Sequence, residues 1–271
     1  MDEQAAFYEA LDETHYRSGA ATMSPWDPRM QHGGPPAALL WHALVRAHPR
    51  DDARLARFTL DFLGPIPRAD LEIRSEVVRP GRRVELLEAT LAVAGRAAVV
   101  ARAWRIASAP ELASRLPPPA SPHPAHALAD ARESALGLGP PNWPYGRAIA
   151  WRFIERRDGS GRARVWTRLQ IPLVAGRTTT PLEHLLVVAD SANGLAAALP
   201  MDEWLFVPPG LGIVLARAPD GDWLYLDART RLAGDGLGFT EIRFGDRAGE
   251  LGIGAQPLLV APREPANLSG G

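Results

Sequence analysis

The sequence predicts an α+β fold built twice over, each copy a long apolar helix followed by antiparallel strands, and three observations predict it. Residues 180–200, TPLEHLLVVADSANGLAAALP, are apolar on nearly every face, the mark of a helix buried in a domain. Residues 54–107 and 204–262 alternate or run apolar in short stretches punctuated by Gly and Pro, as strands do. Both halves of the 271-residue chain run in the same order, a helix and then four strands, a weak internal duplication with a period too long for a solenoid.

Composition bounds the chemistry. The chain is long enough for one large domain or two ordinary ones. It has no Cys, which excludes disulfides, thiolate catalysis and Cys-ligated metals, and which suits a reducing compartment. It has no Lys either, so all 30 basic residues are Arg, which excludes a Schiff-base lysine, a phosphate-loop lysine and a Ser-Lys pair. A formal charge of -1 gives no electrostatic case for nucleic acid or an anionic membrane. The acidic opening MDEQAAFYEALDETHY is unlike a signal peptide, and every apolar run is shorter than the about 20 residues of a membrane span. A cytoplasmic protein is the expectation.

Taken in order, residues 1–20 read as a short amphipathic helix with Phe7, Tyr8 and Leu11 on one side. A Pro-rich lead-in then reaches His32, Gly33 and Gly34, followed by an apolar helix over residues 35–47. Glycines at a helix start let another group approach free backbone N–H groups at the positive end of the helix, and because Pro35 and Pro36 carry no N–H the donors are those of Gly33 and Gly34. Four strand-like runs fill residues 54–107, and residues 108–146, rich in Pro and Ala, read as a linker crossing the surface. Residues 147–173 suggest a hairpin around Asp158, Gly159 and Gly161, and the second helix and four more strands follow. The implied division is an N-terminal module over 1–110, a linker over 111–146 and a C-terminal module over 147–271.

The second helix carries an intact start signal. Thr180 is the cap, Pro181 suits the first helical position, and Glu183 completes a T-x-x-E capping box. A single helix over residues 181–199 follows. Asp190 interrupts it, and a carboxylate among Val187, Val188, Ala189 and Ala192 needs either a partner or a task.

Two motifs sharpen this picture. HGGPPAALLW is similar to the H-G-G helix start of single-domain hotdog thioesterases, and VVADSANGLAAAL is similar to the A-D-E-A-A-G segment further along the helix in those proteins. TLDFLGPIP and the C-terminal AQPLLVAPR resemble the acyl-CoA thioesterase II type, a double hotdog. The resemblance covers nearly the whole chain. It implies two central helices, each wrapped by a curved antiparallel sheet, with the two sheets continuous. With the helices aligned, Asp190 falls opposite Trp41, and Gly33 and Gly34 fall opposite Leu182 and Glu183, so the first half has kept the glycines and the second the acid.

In that family a helix Asp, a strand Thr or Ser and a Gln near the C-terminal strand hold the attacking water. Asp190 matches the Asp and Gln256 the Gln. The hydroxyl does not carry over, because Val207, Pro208 and Pro209 stand where it is expected, and Thr230 and Thr240 are hydroxyls elsewhere on the sheet. Asp190 can take a proton from the water while Gln256 orients it, and Gly33 or Gly34 N–H can meet the oxyanion, with His32 part of the helix start. No metal or cofactor is required, and the seven His lack metal-site spacing. Trp26, Trp41, Trp143, Trp151, Trp166, Trp204 and Trp223 are read as core, with one or two lining an acyl channel.

The leading function is a hydrolase of acyl-CoA or related acyl thioesters, in the setting of lipid metabolism, working as a homodimer. Two alternatives stay open: a catalytically decayed acyl-thioester-binding protein, and a hotdog dehydratase or hydratase pairing His32 with Asp190. Against the last, Leu195 stands where the hydratase pattern has a His five positions after the Asp.

Overall fold

The computed structural model describes residues 6–112, 114–116, 127–134, 136–154 and 159–263. Among the described residues the first elements are strands β1 (Tyr8–Ala10) and β2 (His15–Ser18), which replace, from Tyr8 on, the helix expected over residues 1–20. Phe7, Tyr8 and Leu11 have a helical spacing, but partners from the other half win. The N–H groups of Phe7 and Tyr8 donate to the carbonyls of Pro172 and Leu173, and Ala175 N–H donates to the Tyr8 carbonyl.

Helix α1 (Gly34–Ala47) has its two prolines in the first turn, where a missing N–H costs nothing. Strands β3 (Ala53–Phe62), β4 (Asp70–Arg79), β5 (Val84–Val93) and β6 (Arg96–Ala107) follow as the alternation predicts. The connecting region contributes β7 (Arg132–Glu133) and one helical turn, α2 (Pro144–Arg147). It is not confined to the surface, since Trp143 and Tyr145 are buried. Strands β8 (Ile149–Phe153) and β9 (Arg162–Leu169) pair antiparallel as the hairpin reading expects, and Asp158 lies outside the described residues.

Helix α3 (Pro181–Ala189) opens on the expected capping box, in which the Thr180 side chain accepts from Glu183 N–H and the Glu183 carboxylate accepts from Thr180 N–H. The single helix expected over residues 181–199 is corrected. It stops at Ala189, Asp190 and Ser191 form a turn, and α4 (Ala192–Leu195) adds one further turn. In a continuous helix Ser191 N–H would reach the Val187 carbonyl. Here that carbonyl accepts from the Tyr145 hydroxyl at 2.9 Å, and Ser191 N–H donates to Val188 instead.

The strand expected after this helix is two, β10 (Trp204–Val207) and β11 (Gly210–Leu215), parted by Pro208 and Pro209, which have no N–H for a ladder. Strands β12 (Leu224–Leu232), β13 (Leu237–Asp246) and β14 (Gly249–Pro262) are the last described elements.

The strands belong to one 14-stranded antiparallel sheet. Its middle is the β3–β11 pair, where Phe58 faces Ile213 and Leu60 faces Leu211. Outward from that seam the order is β6, β5, β4, β2 and β1 on one side and β14, β13, β12, β9, β8 and β7 on the other, with β10 added against β14. Thus β3 and β11, β6 and β14, β5 and β13, and β4 and β12 occupy equivalent places. Helix α1 packs on β4, β5 and β6, α3 on β9 and β12, and the two helices pack on each other. Their apolar faces, Leu39, Leu40 and Leu44 with Leu185, Leu186 and Val188, share one core with Phe58, Leu87 and Leu226. Of the tryptophans expected in the core, Trp41, Trp143, Trp151, Trp166 and Trp223 are buried, while Trp26 and Trp204 are partly exposed.

Candidate active site

Asp190 is where the two halves meet. The break after α3 leaves its carboxylate buried, with one oxygen directed at each of two donors. Oδ2 accepts from Gly33 N–H at 3.1 Å, and Oδ1 accepts from Gln256 Nε2 at 2.8 Å. Gly33 leads into α1, and Gln256 lies on β14 with its side chain fully buried. The site therefore draws on residues 157 and 66 positions away from Asp190. Burial raises the Asp190 pKa from 3.8 to about 7, against the lowering effect of the Gly33 and Gln256 bonds.

The two glycines do different work. A Cβ on Gly33 would stand 2.6 Å from the Phe62 ring and 2.7 Å from Asp190 Oδ2, so the carboxylate approaches only because no side chain is there. A Cβ on Gly34 would collide with the Val187 carbonyl oxygen, making Gly34 the point where α1 crosses α3. Gly34 N–H donates to His32 Nδ1 at 3.3 Å. Of the two expected oxyanion donors, Gly33 lines the pocket described next and Gly34 does not.

His32 Nδ1 lies 3.5 Å from Asp190 Oδ2, and its ring stacks on Tyr145 at 4.3 Å between centroids. Because Nδ1 accepts from Gly34 N–H, the ring proton sits on Nε2. Burial lowers the His32 pKa to about 3, which keeps the ring neutral.

A pocket of about 440 Å³ opens beside Asp190, His32 and Gly33. Its walls are mainly apolar, with Phe62 and Ile66 from the end of β3 and its following turn, Met30 and Trp26 from the lead-in to α1, and Leu205, Val207, Pro208 and Pro209 from the β10–β11 region. Pro208 and Pro209, standing where a hydroxyl residue was expected, thus form wall. Thr230 and Thr240 hydrogen-bond each other at 2.8 Å, Thr240 is paired in register with Gln256, and neither lines the pocket.

Sequence reasoning missed Phe62, Asn193 and Tyr145. Asn193 follows Asp190 by one helical turn, lines the pocket and donates to the Phe206 carbonyl at 2.9 Å. The signal for Tyr145 was in the sequence: NWPYG puts two aromatic side chains into an otherwise Pro- and Ala-rich connector.

The place equivalent to this site in the other half is filled. Glu183, which aligns with Gly34, accepts from His42 Nδ1 at 2.7 Å, and His42 adjoins Trp41, the residue opposite Asp190. Among the described residues no group of three or more His, Asp or Glu is placed to hold a metal ion, and no helix is long and apolar enough to cross a membrane.

Comparison with known proteins identifies the family and the fold. Residues 22–106 match the model of the acyl-CoA thioesterase N-terminal domain, and residues 113–260 match that of the acyl-CoA thioesterase C-terminal domain. A search of the curated proteins finds no match. Among solved structures, a hot dog fold protein from Alicyclobacillus acidocaldarius is 17% identical with a TM-score of 0.71, covering 97% of this chain and 98% of its own. The TesB protein of Mycobacterium avium subspecies paratuberculosis is 18% identical with a TM-score of 0.65, covering 94% of this chain and 96% of its own. Acyl-CoA thioesterase II TesB2 from Mycobacterium marinum is 17% identical with a TM-score of 0.62, covering 97% of each chain. Those likenesses fix the fold as hotdog, and the two domain matches make the chain a member of the acyl-CoA thioesterase family.

Proposed function

We propose that this chain hydrolyses acyl-CoA or related acyl thioesters with a water activated by Asp190 and oriented by Gln256. One observation carries the reading: a buried carboxylate with a pKa of about 7 lines an apolar pocket and is held between Gln256 and the start of α1. A base poised near neutrality suits proton removal at physiological pH. Gln256 Oε1 is buried without a protein partner, and it is an acceptor for the second O–H of that water.

In the proposed step the water gives a proton to the Asp190 carboxylate while its oxygen attacks the thioester carbonyl carbon. The carbonyl oxygen competes with Asp190 Oδ2 for Gly33 N–H as negative charge develops on it. When the C–S bond breaks, the proton on Asp190 passes to the leaving thiolate. His32, neutral and flat against Tyr145, shapes the pocket beside the acid. On this reading the modules over 1–110 and 147–271 each line the pocket, and the connector over 111–146 stacks Tyr145 on His32 behind it.

The test is thiol release from acyl-CoA substrates of graded chain length, with an acyl carrier protein thioester beside them. Asp190→Asn should lower the rate by about two to four orders of magnitude and Gln256→Ala by less, since it removes orientation only. Wild-type protein that binds an acyl-CoA but releases no thiol would establish the decayed binder instead. The 3.5 Å approach of His32 to Asp190 favours a hydratase as second reading, checked by water addition to a 2-enoyl-CoA.

We also infer a homodimer. The terminal strands β1 and β7 are only 3 and 2 residues long, which leaves little edge to pair, whereas Val214, Ile253, Phe239, Leu237 and Leu259 expose an apolar row on adjoining strands. The Arg231–Glu241 pair joins β12 to β13 and the Arg243–Glu250 pair joins β13 to β14, giving both charge signs beside that row, as a second copy of the chain requires. Light scattering should give twice the 29.3 kDa chain mass, and the chain mass at all concentrations would refute it.

A further inference from the structure

We propose that Tyr145, delivered by the connector between the halves, is a positioning residue that breaks α3 at Asp190 and so aims the carboxylate. The proposal rests on the reading of Asp190 as the catalytic base. Its geometry spans both halves. The Tyr145 hydroxyl donates to the Val187 carbonyl at 2.9 Å and lies 2.6 Å from Ser191 Oγ, so it holds the backbone before Asp190 and the side chain after it. Having spent its one proton on Val187, the hydroxyl accepts from Ser191.

That bond removes the Val187 carbonyl from the helical ladder. Ser191 N–H falls back to the Val188 carbonyl, and the turn that presents Asp190 to Gly33 and Gln256 follows. Gly34 presses on the same Val187 carbonyl from α1, so the oxygen is fixed from two directions. The tyrosine is itself fixed. Its ring stacks on His32 at 4.3 Å, lies 4.9 Å from the Trp143 ring and meets the edge of Phe7 at 6.3 Å. Trp143 Nε1 donates to the Met23 carbonyl at 2.7 Å, tying the connector to the lead-in of α1. Burial raises the Tyr145 pKa far above the working range, so the hydroxyl keeps its proton whatever the state of the acid.

Tyr145→Phe keeps the ring and its stack on His32 and removes only the oxygen. The expected result is a fall of about 10- to 100-fold in kcat for thiol release with KM within about twofold, the scale of a small misplacement of a catalytic group. The titration of the Asp190 carboxyl, followed by carbon NMR without substrate, should move to higher pH, because a misaimed carboxylate loses the Gly33 and Gln256 bonds that favour its charged form. The titratable groups facing it are His32 from the lead-in to α1 and Tyr145 from α2; Gln256 on β14 is a neutral donor. Ser191→Ala leaves the Val187 bond in place and should show the same changes at smaller size. Tyr145→Phe with wild-type kcat and an unmoved Asp190 titration overturns the proposal, as does an effect of Ser191→Ala equal to or larger than that of Tyr145→Phe. A Tyr145→Phe protein that is only less stable, with unchanged kcat per folded molecule and unchanged titration, also overturns it. The titration needs no turnover, so it decides the role of Tyr145 even if the wild type hydrolyses nothing.

Discussion

Replacing Asp190 by Asn should exchange activity for stability, by an amount that depends on pH. In the unfolded chain the carboxyl ionises near its ordinary 3.8, and in the folded protein it holds its proton to about 7. Between those values the unfolded state releases a proton that the folded state keeps, so folding becomes less favourable as pH rises and levels off above about 7. Three pH units at about 1.4 kcal/mol each give about 4 kcal/mol, a large share of a typical domain stability. Asn has no charge at any pH and no such slope. His32 and His184, each held to a pKa of about 3 by burial, slope the other way below their ordinary 6.5, but both proteins contain them and they drop out of the difference. The assay is urea unfolding of both proteins at about pH 4 and about pH 8.5, followed by tryptophan fluorescence. The stability advantage of Asp190→Asn should grow by about 4 kcal/mol across that range. A difference that stays flat with pH would falsify the burial argument, because the folded acid would then ionise normally.

Three further outcomes are expected. Thiol release should rise with pH and reach half its maximum near pH 7, as a base that must lose its proton requires; a profile flat from about pH 5 to about pH 9 would contradict it. Gly34→Ala should destabilise by about 3 kcal/mol or more, because the carbonyl its methyl meets is held by Tyr145 and cannot yield, while Gly33→Ala should damage turnover more than stability; denaturant midpoints and rates on the two variants separate these effects. Glu183→Ala, which strips His42 of its buried partner and α3 of its capping box, should cost about 2 to 4 kcal/mol without changing the rate per folded molecule, and a loss under about 1 kcal/mol would show that the pair is idle.

What the sequence disclosed divides by the range of the forces involved. Strands β3 to β6, the start of α1 and the Thr180 capping box depend on neighbours close in the chain, so alternation, proline placement and spacing reveal them. The oddity of Asp190 in an apolar helix marks the candidate site for the same reason. The end of α3 was hidden because it depends on Tyr145, 42 positions before Val187. The N-terminal strands were hidden because their pairing partner is the segment around Leu173, in the other half. A connector rich in Pro and Ala looks like surface by composition, and only its Trp143 and Tyr145 hint otherwise. The sequence singles out Gly33 and Gly34 together, and only contact geometry distinguishes the one that admits a carboxylate from the one that admits a helix.

The Glu183–His42 pair bears on how the molecule is free to change. In an assembly of identical subunits, any substitution at a helix start alters every pocket at once, so a gain in one function is tied to its repetition. Here the glycine side and the acid side of the pocket are separate stretches of one chain, and the place that symmetry would have used again is closed by the hydrogen-bonded Glu183 and His42 side chains. Each wall is therefore encoded once. A change at Phe62 or Pro208 reshapes a single pocket, and titration with a tight-binding acyl-CoA analogue should saturate at one equivalent per chain with no interaction between sites inside it.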